Sequence, residues 1–145
     1  MKHSGTNYLT LAGGLTLIVA AIHLGCIVFG ADWYRFLGAG EQMAQLAEQG
    51  HWYPTVVTGV LVVIFVVWSA YAFSGAGLIR RLPLLRLGLC LITLVLLARA
   101  LAFYFLMSAF PDNSLTFWLI SSGICFALGA IYAAGIKQSW EFLRG

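Results

Sequence analysis

Four uninterrupted apolar runs, at about residues 8–30, 54–78, 84–107 and 115–136, constrain this 145-residue chain more than any other feature. A helix needs roughly 20 apolar residues to cross a hydrocarbon layer about 30 Å thick, and each run is long enough. None of them alternates with period two. They therefore read as helices, which satisfy their own backbone hydrogen bonds in lipid, and not as the short alternating strands of a barrel. Composition matters here at one point. Charged residues make up 9% of the chain, against about 25% in soluble domains, too few to cover a surface that faces water. The length left over holds no separate soluble domain, so residues 1–145 read as a single four-helix transmembrane domain.

The breaks between runs carry turn chemistry. Pro83 sits in the tight connection between the second and third runs. Pro54 opens the second in a first helical turn, where its missing N–H costs nothing. In Pro111-Asp112-Asn113-Ser114, either Ser114 or Asn113 is placed to cap the fourth helix. Connections this short make sequential helices antiparallel, which predicts an all-α, up-down-up-down bundle. Residues 31–53 differ, being too long for a turn and too polar to span. They predict a short interfacial helix over 32–37 capped by Asp32, a break at Gly38 and Gly40, and a second helix over 41–49 with Met43, Leu46 and Ala47 on its apolar side.

The first run is tested against a signal peptide, since Lys2 and His3 precede it and Gly25-Cys26 resembles a lipoprotein cleavage site. His23 stands where such sites take Leu, and the run is long for a signal, so it reads as a membrane span. With four spans, Lys2, Arg80, Arg81, Arg86, Lys137 and Arg144 share one side with Glu141 its only acid. Asp32, Glu41, Glu48 and Asp112 share the other side with Arg35 its only base. The positive-inside rule makes the first side cytoplasmic, with both termini in the cytoplasm. In a bacterium the membrane is the inner one and residues 31–53 face the periplasm. Trp33, Tyr34, Trp52, Tyr53, Tyr104 and Trp118 form an aromatic belt at the outer interface, and Tyr8, Trp68, Tyr71, Tyr132 and Trp140 form one at the inner.

Inside the runs two side chains can carry charge near neutral pH, His23 and Arg99. At 1.5 Å per residue both lie roughly 22 Å from the cytoplasmic ends, level with Thr58 and with Ser121-Ser122. One polar layer drawn from all four helices is therefore expected in the outer third of the membrane. His23 belongs to a face of small and polar residues with Ala12, Thr16, Val19, Cys26 and Gly30, which turns it inward, and Gly123, Ala127, Ala130 and Ala134 form a similar stripe on the fourth helix.

Arginine inside hydrocarbon costs on the order of 3 kcal/mol or more and tends to mark a functional pathway. No span supplies an acid for Arg99. Its partner is then Glu41 or Glu48 folded in from the first connection, or an anionic ligand that matches the guanidinium fork. Snorkelling to the interface is the plainer alternative. His23 reads as a buried neutral histidine, or as a proton-transfer or hydrogen-bonding group, and His51 as an interfacial residue able to join it at a pocket mouth.

The three cysteines sit at depths roughly 10 Å or more apart, too far for a disulfide. His23 and Cys26 share a face, but tetrahedral zinc needs more ligands than the chain brings into register. No cofactor is indicated by the sequence. Blocks of Lys and Arg are absent, which argues against nucleic acid.

Three functions follow. The first is binding or transport of an anionic or amphipathic small molecule or lipid in an outward pocket formed by Arg99, His23, Glu41, His51, Thr58 and Ser122. That role fits a homo-oligomer or a component of a larger membrane complex. The second is an enzyme acting on a lipid or quinone, with His23 as acid/base. The third is a structural subunit whose polar layer only fixes helix register.

Overall fold

In the computed structural model, which describes residues 4–145, every regular element is a helix. Lys2 and His3 lie outside the described residues. Three helices of 24 residues, α1 (Thr6–Phe29), α4 (Trp52–Gly75) and α7 (Leu115–Gln138), are long and apolar enough to cross a membrane. The third apolar run is broken. α5 (Leu85–Leu101) and α6 (Phe103–Ala109) meet at Ala102 with a bend of 67°, and the pair counts as a fourth span only if taken together. No Pro or Gly stands at the break. Instead Ala102 takes φ −82°, ψ 3°, and the Phe105 N–H bonds back to the Ala102 carbonyl three residues earlier. Hydropathy registers apolar continuity and cannot register a change of backbone path, which is why the run reads as continuous in sequence.

α1 lies along α4. Thr6 at its start donates to the Ala76 carbonyl, and Ser69 Oγ donates to the Gly13 carbonyl at 2.8 Å, so the two helices run in opposite directions. α7 crosses α1 at Thr16 Oγ1 and Tyr132 Oη, 2.9 Å apart, and packs along α5 where Gly129 faces Leu96 and Leu97. Leu9, Ala12, Ala72, Leu89 and Tyr132 fill the seam and are fully buried. The outer surface is the reverse of a soluble protein's: Val63, Leu94 and Ile120 are each at least 60% exposed. An apolar mantle of this extent needs a hydrocarbon environment.

Several expectations require correction. Gly123, Ala127 and Ala130 face outward, and the close approach on α7 is made by Gly129 and Gly135, because the large buried Tyr132 fixes which face turns inward. Tyr34, Trp118 and Tyr132 are core residues and not belt aromatics. Asp32 does not cap α2 (Ala31–Phe36), whose N-cap is Gly30. It sits in the first turn, its carboxylate 3.5 Å from Arg35. Ser114 does cap α7, accepting from the Phe117 N–H.

The first connection folds onto the end of the bundle. Tyr34 is sealed there beside Cys26 and Ala44, the buried centre of α3 (Glu41–Glu48), and its hydroxyl accepts from Thr58 Oγ1 at 3.1 Å. Asn113 ties the same connection to the start of α7 by donating to the Gly38 carbonyl at 2.8 Å.

Candidate functional site

Arg99 occupies the last turn of α5, where the negative end of the helix dipole favours a cation. Its Nη2 donates to Ser121 Oγ at 3.1 Å and its Nη1 to Ser122 Oγ at 3.5 Å, while its guanidinium carbon stands 5.1 Å from the centre of the Trp118 ring. Trp118, Ser121 and Ser122 are spaced i, i+3, i+4, so one face of α7 delivers all three. That spacing was available in the sequence, but Trp118 reads there as a belt residue. Trp118 is roofed by Phe110 and Phe117, with ring centroids at 6.3 and 5.5 Å, and Phe117 in turn lies under Gly38. The Trp118 indole N–H is buried and has no acceptor, the one such side-chain atom among the described residues. A buried donor left unmatched costs about 1–3 kcal/mol, so its persistence calls for an explanation.

Arg99 takes neither Glu41 nor Glu48. Both carboxylates belong to Arg35, whose Nη2 and Nε grip Glu41 at 2.7 and 2.9 Å and whose Nη1 reaches Glu48 at 2.8 Å. Arg35 lies six residues before Glu41 in the same connection and satisfies it locally, which leaves nothing to draw the acids inward. The Arg35 guanidinium holds the Glu41 carboxyl below the ordinary carboxylate range. A depressed folded-state pKa means the interaction contributes fully above the unfolded value and is lost as pH falls through the folded one. In a carbon-detected NMR titration Glu41 should titrate below a free glutamate, and Arg35→Gln should return it to the ordinary value. An unmoved midpoint would show the pair to be too loosely held to matter.

The other expected site residues are dispersed. His23 is half-buried on α1, its Nδ1 2.8 Å from the Val19 carbonyl and its ring 5.0 Å from that of Phe65 on α4. Thr58 is buried against Tyr34. His51 caps α4 at the exposed surface, its Nδ1 accepting from the Tyr53 N–H and its ring stacked on Trp52. Of the expected polar layer, the structure brings Arg99 to Ser121 and Ser122, while His23 bonds within its own helix and Thr58 to Tyr34. Among the described residues no three His, Cys, Asp or Glu side chains converge, and the cysteines are free thiols.

Two clefts, of about 640 and 840 Å³, open at the far end of the molecule, where α4 leads into α5 and α7 into α8 (Trp140–Arg144), and neither is lined by His23 or Arg99. No protein-family model, curated protein or solved structure matches this chain.

Proposed function

We propose that this chain is a four-span, up-down-up-down membrane protein with both termini in the cytoplasm, in a bacterium an inner-membrane protein. On this reading it binds the anionic group of an amphiphile between α5 and α7 at Arg99. One observation carries the proposal: among the described residues the Arg99 guanidinium has hydroxyls, an indole face and the neutral Cys125 thiol around it and no ion pair, while Glu41 and Glu48 are committed to Arg35. Arginine's fixed fork suits a carboxylate or phosphate, and Ser121 and Ser122 would add donors once released from the guanidinium. The unmatched Trp118 N–H offers a further donor after a small movement of its roof, Phe110 and Phe117. The first connection, tied to α7 through Asn113, serves as a lid over that roof.

The orientation rests on the charge asymmetry, with Arg80, Arg81, Arg86, Lys137 and Arg144 on the side of the termini. The ligand reading is tested by purifying the protein in mild detergent and identifying co-eluting amphiphiles by mass spectrometry. Arg99→Ala is expected to remove an anionic species that the unaltered chain retains, with insertion and yield unchanged. Equal retention by both proteins would end the anchor role.

A structural reading has one observation in its favour, that the Arg99 bonds to Ser121 and Ser122 already join α5 to α7 within the chain. The two readings differ in what they predict for stability.

A further inference from the structure

A second feature, separate from Arg99, lies at the opposite end of the α5/α7 seam. The cleft of about 640 Å³ there has an apolar wall formed by Leu94, Leu97, Ala133 and Ile136, and its mouth is formed by Lys137 and Trp140. Thr93 lines it too, but its hydroxyl donates to the Leu89 carbonyl and leaves only its methyl to the cleft. The Arg86 guanidinium carbon stands 4.3 Å from the centre of the Trp140 ring, which places a second cation at the mouth. Neither Arg86 nor Lys137 has an ion pair among the described residues, and Glu141, the acid at this end, lies 3.6 Å from Arg144. Arg86 also borders the neighbouring basic cleft, so the field at the mouth is positive from both sides.

The dimensions select the occupant. The α5 lining runs from Cys90 to Leu97, about 10 Å, and Arg86 stands one turn below it, so the cation lies about 16 Å below the upper end, close to half of a hydrocarbon layer about 30 Å thick. An open apolar channel with two cations that make no ion pair among the described residues at its headgroup end is complementary to a chain that is apolar along its length and anionic at its tip. We infer that this cleft binds one anionic phospholipid of the leaflet nearest the termini. One acyl chain lies along Leu94, Leu97, Ala133 and Ile136, and the phosphate lies between Arg86 and Lys137. Trp140 would sit at the level of the glycerol backbone, where indoles are favoured. The other basic residues at this end, Arg80, Arg81 and Arg144, border the neighbouring cleft and contribute only a general field.

The test uses the full chain, delipidated in detergent and offered equal amounts of phosphatidylglycerol and phosphatidylcholine with identical acyl chains, with the retained lipid read by native mass spectrometry. The unaltered protein should retain one phosphatidylglycerol in preference to phosphatidylcholine. At about one fivefold step per basic residue near a membrane surface, Arg86→Gln with Lys137→Gln should reduce that preference roughly twenty-five-fold. Arg80→Gln with Arg144→Gln should leave it in place. Leu94→Trp fills the channel from an exposed position and should abolish retention of either lipid with both cations intact. An unchanged preference in the first variant, an equal loss in the second, or full retention in Leu94→Trp would each overturn the inference. Arg99→Ala should leave this preference untouched, so the two sites fail separately. If Arg99→Ala alone removed it, there would be one lipid site and not two.

Discussion

Gly135→Val is expected to part α1 from α7 and to destabilise the folded chain by about 1–3 kcal/mol, the range for forcing added methyls into a packed core. A Cβ at position 135 would lie 2.7 Å from Leu9 Cγ, 2.8 Å from Leu9 Cδ2 and 3.3 Å from the Leu9 backbone nitrogen. Leu9 cannot swing away, since it is fully buried and also packs where Gly75 approaches it from α4. The backbone nitrogen cannot yield without moving α1 as a whole. Helices in a membrane gain little from the hydrophobic effect between themselves, so lost close packing is not offset elsewhere. Gly123→Val is the matched control: it makes the same change of helix propensity in the same helix, at a site where a Cβ meets nothing within 4 Å. Thermal aggregation midpoints in one detergent should separate the two variants clearly. Equal midpoints would mean that α1 and α7 are not tightly joined.

Arg99→Leu separates a ligand anchor from a structural staple. A guanidinium at the membrane centre costs on the order of 3 kcal/mol, and less towards the interface. Its returns here are a 3.1 Å and a 3.5 Å bond to hydroxyls and one ring contact. Charged hydrogen bonds contribute about 1.5–3 kcal/mol each at good geometry, and a cation over a ring about 0.5–2. The 3.5 Å bond is outside good geometry and adds little, so one full bond and one ring contact come close to cancelling the cost. After the change, Ser121 and Ser122 can bond back to carbonyls one turn earlier, so neither is left unmatched. The expected outcome is an unchanged or raised thermal midpoint, together with loss of the anionic amphiphile held at Arg99, while the lipid at Arg86 and Lys137 is kept. A fall in the midpoint comparable to that of Gly135→Val would assign Arg99 to the frame of the bundle and not to a ligand.

The sequence reads well where one physical rule acts alone. Run length and the scarcity of charge predict helices able to span a membrane, and the Pro-Asp-Asn-Ser turn predicts a cap at Ser114 or Asn113, of which Ser114 makes it. It reads poorly where neighbours compete. Glu41 and Glu48 are suitable partners for Arg99 by charge, but Arg35 is closer along the chain and takes both. Depth arithmetic sets His23, Thr58 and Arg99 at one level and says nothing about azimuth. His23 turns to Phe65 and Thr58 to Tyr34, whereas Arg99 turns to α7. Small residues mark possible close contacts, and it took the placement of Tyr132 to decide between the faces of α7. The role of Gly38 over Phe117 joins residues 79 positions apart, which no local pattern reports.

The break at Ala102 also affects the bilayer. α1, α4 and α7 each rise about 36 Å over their 24 residues, while α5 rises only about 25 Å over 17. Hydrocarbon about 30 Å thick is met on three sides by a wall tall enough to cover it and on the fourth by one that is too short. On the four-span reading, thinning of the lipid beside α5 would meet the mismatch, with Tyr104 and Phe105 of α6, both more than 70% exposed, lying across the depression. Such a dimple brings the headgroup layer down towards Arg99, in the last turn of α5. An amphiphile in the far leaflet could then reach the guanidinium by sliding sideways, without drawing its charged end through hydrocarbon.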